Sequence, residues 1–580
     1  MTFTGRPATA NTAVVRQARD FLFDHATDYQ GAVDGFTWPE LNEFNFAIEW
    51  FDVIAGEHPD RPAVMIADED GTARSWSYAE LSRRSDQVAN WLTAQGMRRG
   101  DHMIVMLPNT IELWEVLFGL LKIGGVAIPT STLLSSGDLA FRADKAEAKF
   151  VIAPSSLEHR FDLVPRHVKK IAVGATTPSG WVNFARSEQA RADFTPSGPT
   201  PAQDTCLLYF TSGTTAQPKL VRHTQVSYPV GHLSTMWWLG VRPGDIHLNI
   251  SSPGWGKHAW SNFFGPFLAQ ATVFIVGYDR FDANSLMAVM ERHQVSTFCA
   301  PPTVWRMLIQ ADLSQLTKPP RELVGAGEPL NPEVINQVRA AWGGTIRDGF
   351  GQTEMTCAIG NSPGQPVKDG SMGRPMPGYD IVLLDPASGE VASDHGEICL
   401  PINQPLLPLA TGYYKNTEMT AAAYHGGYYH TGDLADRDAD GYLTYVGRAD
   451  DVFKASDYKI SPFELESILL EHPLVTEVAI VPSPDPLRAA VPKAFIHLVE
   501  GLETGAHEAA RSIFAFARTR LSGYQRVRII EFTRGLPKTI SGKIRRAELR
   551  EQEAVHAGCD RNTDEFFERD FREPQTSAAR

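Results

Sequence analysis

The protein has 580 residues, of which 43% are apolar and 21% are charged. This composition is typical of a folded globular enzyme of several domains and excludes disorder for most of the chain. The formal net charge of −14 provides no positive field for a polyanion, so we expect no nucleic-acid partner.

The first 44 residues (1–44) read as an irregular N-terminal extension whose aromatic residues pack against a larger body. They contain no apolar run of signal-peptide length, and the most apolar later stretch, 113–129, is interrupted by Glu115 and Lys122. We therefore expect no membrane segment. The five cysteines are scattered without a CxxC pair, which favours a reducing compartment and predicts a cytoplasmic protein.

From residue 45 onward, helix-like segments alternate with short apolar runs. The helical pattern is clear over 78–96, and the apolar runs lie at 102–108, 149–154, 271–277 and 296–302. Such alternation is the pattern of βα units, in which helices cover a parallel sheet. It predicts an α/β fold with a large N-terminal domain of sheets covered by helices, over 45–449.

Beyond residue 441 the pattern shortens to strand pairs and amphipathic helices, the latter at 462–473 and 507–523. This change predicts a second, small α+β domain over 450–550. The charged remainder, 551–580, is predicted to be a flexible tail.

A loop rich in hydroxyl groups follows the apolar run at 207–210 and ends in a lysine. Its candidate phosphate-binding residues are Thr211, Ser212, Gly213, Thr214, Thr215 and Lys219. Backbone N–H groups and hydroxyls of such a loop can surround phosphate oxygens, and the lysine adds positive charge. It is not a Walker A loop, because GxxxxGK[ST] does not occur in the chain. Taken alone, such a loop is usually a solvated turn, so the other motifs decide its meaning.

Four later segments carry polar groups in a recognisable order: DGFGQTE at 348–354, YHTGDL at 429–434, GRADDVFK at 447–454 and LPKTISGKIR at 536–545. Together with the hydroxyl-rich loop, they resemble the motifs of the adenylate-forming superfamily of acyl-CoA synthetases, adenylation domains and luciferases. The resemblance covers residues 45–550. Segments 251–260 and 483–498 look most like medium-chain acyl-CoA synthetases.

The resemblance implies how this chain binds ATP. The nucleotide-binding set joins the loop to later motifs and comprises Thr211, Ser212, Gly213, Thr214, Thr215, Lys219, Gly327, Glu328, Asp348, Phe350, Asp433 and Arg448. In the family, the aromatic ring of the second motif flanks adenine, a role that falls to Phe350. The ribose is held by an aspartate and an arginine, which correspond to Asp433 and Arg448.

The catalytic residues implied by the resemblance are Thr353, Glu354 and Lys543. Thr353 would contact the α-phosphate, and Glu354 would hold Mg²⁺, a hard ion that prefers oxygen ligands. Lys543 would contact both the substrate carboxylate and the α-phosphate. The acid pocket would lie beside adenine, near Trp255, Gly325 and Met355. Its apolar character favours an aliphatic or aromatic acid.

A carboxylate is a poor electrophile, so the family first attaches it to the α-phosphorus of ATP and releases pyrophosphate. CoA then displaces AMP from the acyl-adenylate. Both steps depend on aligning anions and neutralising developing charge. The resemblance also implies a mobile C-terminal domain that rotates between the two steps about a hinge at Asp450. The resemblance thus implies an AMP-forming acid–CoA ligase for a medium-chain fatty or aromatic acid, with ATP, Mg²⁺ and CoA.

The sequence departs from the family pattern at Ala216 and Leu220, where glycines are usual, and at Asp457. In the family, a glycine commonly stands at the position of Asp457, beside the pantetheine tunnel. Two readings stay open: a variant that still admits CoA, or an enzyme with another acceptor, such as an amine, or one that activates nitrite for N–N bond formation. A catalytically silent nucleotide-binding scaffold is a third hypothesis, which the retained polar motif residues disfavour.

Overall fold

The computed structural model describes residues 5–211, 218–278, 280–328, 330–455, 458–485, 488–499, 501, 505–538, 543–556 and 561–571. The chain divides into two compact units. Unit 1 comprises Met1–Ile381, Leu400–His430 and Asp438–Leu443, and unit 2 comprises Val382–Cys399, Thr431–Arg437 and Thr444–Arg580. The boundary predicted between residues 449 and 450 stays a prediction.

The α-helices are α1 (Ala10–Asp24), α2 (Tyr29–Gly35), α3 (Asp52–Glu57), α4 (Tyr78–Ala94), α5 (Ile111–Ile123), α6 (Ser136–Lys145), α7 (Leu233–Leu239), α8 (Gly256–Ala259), α9 (Gly265–Leu268), α10 (Ala283–His293), α11 (Pro302–Leu308), α12 (Pro332–Trp342), α13 (Thr417–Ala423), α14 (Pro462–Leu469), α15 (Ala506–Arg520) and α16 (Arg546–His556). Two π-helical segments lie at Phe46–Phe51 and Trp260–Phe264, and short 3₁₀ turns at Ser155–Phe161, Phe184–Gln189, Leu313–Gln315 and Glu568–Phe571. None of the described helices has the length and apolar character that crossing a membrane requires.

The strands are β1 (Pro62–Ala67), β2 (Ala73–Ser77), β3 (His102–Val105), β4 (Val126–Pro129), β5 (Phe150–Pro154), β6 (Lys169–Val173), β7 (Val182–Asn183), β8 (Thr205–Thr211), β9 (Lys219–Thr224), β10 (Ile246–Asn249), β11 (Thr272–Val276), β12 (Thr297–Ala300), β13 (Glu322–Ala326), β14 (Ile346–Phe350), β15 (Ile359–Gly360), β16 (Arg374–Pro375), β17 (Val382–Leu384), β18 (Val391–Ala392), β19 (His395–Pro401), β20 (Tyr424–His425), β21 (Tyr428–Arg437), β22 (Leu443–Arg448), β23 (Phe453–Ala455), β24 (Tyr458–Ile460), β25 (Val475–Asp485), β26 (Ala489–Leu498), β27 (Ile529–Phe532) and β28 (Glu565–Phe567).

Two large sheets form the body of unit 1. Sheet A has the order β16-β15-β14-β13-β12-β10-β11-β1-β2, and its strands from β14 to β1 pair in parallel. Sheet B has the order β7-β6-β5-β3-β4-β8-β9 and is parallel except for the β8–β9 hairpin. Parallel sheets need helical crossovers that cover their faces, which explains the alternation of helices and apolar runs in the sequence.

Apolar residues of these helices pack against the sheets. On sheet A, Phe298 of β12 and Leu323 of β13 lie in one core with Met290 of α10, Trp305 of α11 and Val338 of α12. On sheet B, strands β3, β5 and β8 share a second core with α6. The predicted α/β fold of sheets covered by helices is therefore present in unit 1.

The N-terminal extension is helical rather than irregular as predicted. Thr9 and Thr12 form a capping box at the start of α1, and Asp28 caps α2, so polar side chains satisfy the first N–H groups of both helices. The extension packs against the body of unit 1, as expected: Tyr29 donates to the Pro375 carbonyl at 3.0 Å, and Trp38 donates to the Gly378 carbonyl at 2.7 Å.

Unit 2 contains a four-stranded sheet in the order β25-β26-β27-β28 and a two-stranded sheet, β23-β24. Helices α14 and α15 share its apolar core, with Leu465 and Phe514 among the buried side chains. A further sheet has the strand order β18-β17-β19-β21-β20, with β22 paired to β21. This mixture of strands and helices fits the α+β character expected for the C-terminal region.

The part of the predicted flexible tail that the structure describes has regular structure. Helix α16 continues to His556, and β28 pairs with β27. The physical reason is a buried charge cluster centred on Lys493, which is 0% exposed. Its ammonium lies 2.7 Å from Glu531 of β27, 2.6 Å from Glu553 of α16 and 2.6 Å from Glu565 of β28. A buried ammonium needs such partners, and two of them come from the region predicted to fray.

Candidate functional site

The first predicted phosphate-binding segment lies on the hairpin of β8 and β9 in unit 1. Thr211, the last residue of β8, faces Lys219, the first residue of β9, across the antiparallel ladder. The Lys219 ammonium lies 5.2 Å from the ring centre of Tyr413, within the range of a cation–π contact. The predicted residues between the two strands, Ser212, Gly213, Thr214 and Thr215, lie outside the described residues. The hairpin thus fixes both ends of the predicted loop.

The neighbouring strands β13 and β14 run parallel, so their carboxyl ends open at the same edge of sheet A. Gly325 is the ladder partner of Asp348. Gly327 follows β13 with a φ of +109°, a conformation that strongly favours glycine. Glu328 lies next to it, 3.9 Å from Arg306. Four of the predicted residues are therefore gathered at one sheet edge.

Burial weakens the charges at this edge. It raises the pKa of Asp348 to about 7, although the carboxylate accepts the Gly349 N–H at 2.9 Å. Burial also lowers the pKa of Lys257, whose ammonium donates to the Ala326 carbonyl at 3.1 Å. A carboxyl and an amine with shifted pKa values at one edge are typical of a functional site.

The segment after β14 carries two of the predicted catalytic residues. The strand ends at Phe350, and the following turn contains Thr353 and Glu354. Glu354 is only 9% exposed, and its Oε1 accepts a hydrogen bond from the Tyr413 hydroxyl at 2.9 Å. Tyr413 therefore contacts Glu354 through its hydroxyl and Lys219 through its ring.

A buried histidine holds the Thr353 carbonyl. His223 Nε2 donates to this oxygen at 2.7 Å, and its Nδ1 lies 3.1 Å from the Ser227 hydroxyl. Because the Thr224 N–H donates to Ser227 Oγ at 2.8 Å, the Ser227 hydroxyl is free to donate to Nδ1. Burial lowers the pKa of His223 to about 4, so the ring is neutral at neutral pH and carries its proton on Nε2.

The three predicted acid-pocket residues lie on separate segments of unit 1. Gly325 belongs to β13, Met355 is fully buried after Glu354, and Trp255 precedes α8. A Cβ atom built on Gly256 would sit 3.5 Å from Thr353 Oγ1. The chain just after Trp255 therefore passes beside Thr353.

In unit 2 the two predicted ribose-binding residues lie together. Asp433 Oδ1 accepts the Tyr445 hydroxyl at 3.2 Å and lies 3.4 Å from Arg448 Nη1. The same nitrogen donates to the Thr431 carbonyl at 3.0 Å. Burial opposes the charge of Arg448, but Asp433 and Asp450 raise its pKa above the ordinary value. The guanidinium thus stays charged and orients the Asp433 carboxylate.

The predicted hinge residue, Asp450, is exposed in unit 2, and its carboxylate lies 3.5 Å from Arg448 Nε. The next residue, Asp451, has different partners, both on α16: Arg546, whose Nη1 lies 3.4 Å away, and Arg550. Two adjacent carboxylates are thus held by arginines from different segments, Asp450 by one on β22 and Asp451 by two on α16.

Lys543 is exposed in unit 2, and the preceding part of its motif, 539–542, lies outside the described residues. The two departures from the family pattern at Ala216 and Asp457 also fall outside them, whereas Leu220 is buried in β9.

Comparison with known families identifies the chain. The family model for the AMP-binding enzyme matches residues 51–414, which is more than half of the chain, and the model for the AMP-binding enzyme C-terminal domain matches 464–543. The chain belongs to the AMP-binding enzyme family.

This AMP-binding enzyme is 40% identical to 4-hydroxybutyrate–CoA ligase 1 of Metallosphaera sedula, over 89% of this chain and 91% of that protein. It is 37% identical to acyl-coenzyme A synthetase ACSM3, mitochondrial, of Mus musculus, over 91% of this chain and 94% of that protein. Among solved structures, the anthranilate CoA ligase AuaEII in complex with anthranoyl-AMP matches with a TM-score of 0.79 and 26% identity, over 89% of this chain and 98% of that one.

These comparisons confirm the predicted resemblance to the adenylate-forming superfamily and to its acyl-CoA synthetases. They confirm the fold class and the class of enzyme, an ATP-dependent acid–CoA ligase. The roles of single residues stay predictions, as do the domain boundaries, the metal and the compartment.

Three residues that contact the predicted site of this AMP-binding enzyme were missed by the sequence analysis: His223, Lys257 and Tyr413. A signal existed for His223, because the period of two in β9 places it on the same face as Lys219. Lys257 lies two residues after Trp255, and no local pattern marks it as part of the site. Tyr413 lies 59 residues from Glu354 in the sequence, and no local pattern relates the two positions.

Proposed function

We propose that this acid–CoA ligase activates a medium-chain fatty acid or an aromatic acid as its acyl-adenylate and then transfers the acyl group to CoA. One observation carries the assignment of the site. The predicted phosphate-binding lysine, Lys219, and the predicted metal carboxylate, Glu354, both contact Tyr413 in unit 1. The lysine suits the negative charge of a polyphosphate, and the carboxylate suits the metal ion that accompanies the polyphosphate.

In the adenylation step, the substrate carboxylate oxygen attacks the α-phosphorus and pyrophosphate leaves. Lys219 would balance the charge of the phosphate oxygens, and Thr353 would donate its hydroxyl to the α-phosphate. The hydrogen bond from His223 fixes the Thr353 backbone, so this donor is positioned before ATP arrives. Donors held in place in advance stabilise developing charge at little cost in reorganisation.

Glu354 fits the predicted Mg²⁺. It offers carboxylate oxygens, and among the described residues no group of three potential ligands includes it. Mg²⁺ commonly takes one or two carboxylates and completes its shell with water and substrate phosphates. When bound, the ion would neutralise charge on the phosphates. The Tyr413 hydroxyl would orient the Glu354 carboxylate for this task.

The remaining assignments, which rest on the family resemblance, fall on residues of unit 2. The Asp433 carboxylate, oriented by Arg448 and Tyr445, suits the two ribose hydroxyls as hydrogen-bond donors. Lys543 would bridge the substrate carboxylate and the α-phosphate. Asp450 would act as the hinge between the two half-reactions, within the proposed C-terminal domain of residues 450–550. Its neighbour Asp451 is tied to α16, which fits a pivot at this position.

The names of the relatives support thioester formation, since M. sedula 4-hydroxybutyrate–CoA ligase 1 and the anthranilate CoA ligase are both named for transfer to CoA. We test the acceptor by mass spectrometry of products from ATP, Mg²⁺ and a pool of fatty acids, aryl acids and nitrite, with and without CoA and aryl amines. Acyl-CoA that appears only with CoA is the expected result. Acyl-amide, or AMP released only with nitrite and an amine, would establish a different second step and refute the CoA assignment.

We also propose a cytoplasmic location. The four described cysteines, Cys206, Cys299, Cys357 and Cys399, are buried and form no disulfide with one another, which suits a reducing compartment. Cell fractionation tests this location, and recovery of the enzyme with mitochondria or another organelle would contradict it.

A further inference from the structure

The residue that follows the proposed hinge is held by two arginines of α16. The Asp451 carboxylate lies 3.4 Å from Arg546 Nη1 and forms a second ion pair with Arg550. Positions four apart on an α-helix lie one above the other, so both guanidinium groups reach Asp451 from the same face of α16. The Asp451 side chain is only 13% exposed, so solvent screens these pairs less than it screens surface pairs. The chain just after the hinge is thus fixed to α16.

Arg546 has a second carboxylate partner, on α14. Its Nε donates to Glu466 Oε1 at 3.0 Å, and its Nη2 contacts Glu466 Oε2. Two such contacts fix the plane of the guanidinium, a geometry that a lysine cannot reproduce. Glu466 is buried, and its Oε1 also accepts the Ile480 N–H of β25 at 2.7 Å. Arg546 therefore ties the chain after the hinge to α14 and β25, in the core of unit 2.

The charge of Arg546 persists in these surroundings. Burial opposes it, but Glu466 and Asp451 outweigh burial and raise the pKa of the guanidinium above its ordinary value. The network thus combines one permanently charged, planar group with two carboxylates on separate segments. Breaking a buried ion pair on one side is costly, so the arrangement has a strong preference for this single geometry.

The same arginine begins α16 directly after the motif that carries Lys543. Arg546 is the first residue of the helix, three positions after Lys543. Between them, Ile544 forms an antiparallel bridge with Lys538 and packs against an apolar cluster formed by residues of β25, β26 and α16. The backbone on the C-terminal side of Lys543 is thus held first by this bridge and then by Arg546.

We propose that Arg546 is a positioning residue for Lys543. The proposal rests on the proposed function of Lys543 in adenylation and adds the network through which its backbone is held. Asp451, Arg546 and Glu466 join α14, α16 and the chain after the hinge into one connected part of unit 2. A rotation at Asp450 therefore carries the base of Lys543 with this part. The lysine side chain is long and flexible, so a fixed base is what limits its misalignment.

The test compares single and double variants in ATP–pyrophosphate exchange. Arg546→Lys keeps a positive charge but cannot hold two carboxylates in the geometry of the guanidinium. We expect it to lower kcat about tenfold, since a misplacement of about 1 Å can cost about 10²-fold, and to change the KM for ATP by less than about threefold. In the Lys543→Ala background the same substitution should cost less than about twofold, because no ammonium is left to position.

Asp451→Asn is the second variant, because it removes the tie to the hinge and leaves the buried pair of Arg546 and Glu466 in place. We expect it to lower kcat by about threefold or more, and again to add little to Lys543→Ala. Arg520→Lys is the matched control: it changes an exposed arginine of the same unit, paired with Glu471, and should exchange pyrophosphate normally. Urea unfolding of every variant shows whether unit 2 is folded.

A wild-type rate in both Arg546→Lys and Asp451→Asn would overturn the proposal. So would an equal loss with and without Lys543, because a general weakening of unit 2 lowers the rate whichever residue stands at that position. Absence of exchange by the wild type with any acid would instead refute the proposed function. Near-normal exchange by Lys543→Ala would refute the role of the lysine itself, so the failures are distinguishable.

Discussion

Replacing Tyr413 by phenylalanine removes one hydroxyl group and leaves the ring that faces Lys219. The lost hydroxyl donates to Glu354 Oε1 at 2.9 Å in surroundings that leave Glu354 only 9% exposed. A hydrogen bond to a charged group contributes about 1.5–3 kcal/mol, and partners that orient a metal-binding carboxylate affect metal affinity or activity by about 10- to 100-fold. We therefore expect Tyr413→Phe to slow adenylation about tenfold or more and to raise the Mg²⁺ concentration needed for half-maximal rate.

The assay is ATP–pyrophosphate exchange at fixed ATP and acid, with Mg²⁺ varied, accompanied by urea unfolding. Tyr424→Phe is the matched control, since its hydroxyl donates to the neutral Ala410 carbonyl at 2.7 Å in the same unit. The control should lose no more than about 1.5 kcal/mol of stability and should keep the Mg²⁺ dependence of the wild type. If Tyr413→Phe and Tyr424→Phe had the same Mg²⁺ dependence, the orienting role of Tyr413 would be refuted.

Three further predictions concern charged groups. Lys543→Ala should reduce pyrophosphate exchange about 10²-fold or more, because it removes a positioned cation from the α-phosphate. Asp348→Asn should flatten the pH dependence of unfolding. The folded pKa of about 7 lies above the unfolded one, so the stabilisation is complete below about pH 4 and is lost as the pH rises to about 7, at about 1.4 kcal/mol per pH unit. Lys493→Met should lower the free energy of unfolding of unit 2 by about 3–5 kcal/mol, since two buried carboxylates and one partly buried carboxylate lose their counter-charge.

Two of these predictions have a matched control variant, and all three have an outcome that would contradict them. Lys538→Ala removes an exposed lysine of the same motif as Lys543, paired with Glu477, and should exchange pyrophosphate normally. Near-normal exchange by Lys543→Ala would overturn its assignment. An unchanged slope between pH 4 and 7 in Asp348→Asn would mean that another group titrates. Lys368→Met also separates a lysine from two carboxylates, but on the surface, and should cost less than about 1 kcal/mol. Equal losses for Lys368→Met and Lys493→Met would contradict the argument from burial.

Much of the candidate site could be predicted from local sequence patterns. Thr211 and Lys219 lie where an apolar run meets a hydroxyl-rich loop, and Thr353 and Glu354 follow the end of another strand. Strand ends can be predicted from the alternation of helices and apolar runs, and parallel pairing then brings them to one edge. The order of the motifs along the chain indicated a resemblance to a known family, and the comparisons confirm that family.

What the sequence could not provide are contacts between segments far apart in the chain. The tie between Tyr413 and Glu354, and the hydrogen bond from His223 to the Thr353 carbonyl, depend on tertiary packing that no periodicity encodes. The N-terminal helices have end signals in the sequence, such as the Thr9 capping box, but the aromatic content of this segment favours an irregular extension. The tail was misjudged because a charged composition normally predicts solvent exposure, whereas Glu553 and Glu565 are buried against one lysine.

Lys493 determines where a separately expressed fragment of unit 2 can end. The C-terminal family match stops at residue 543, yet two of the three carboxylates around Lys493 lie beyond that point, on α16 and β28. A fragment trimmed to the family boundaries would keep the ammonium in its apolar surroundings and discard most of its neutralising charge. Truncation after residue 571 preserves all three carboxylates, so the useful C-terminal limit of a recombinant fragment is set by electrostatics rather than by sequence similarity.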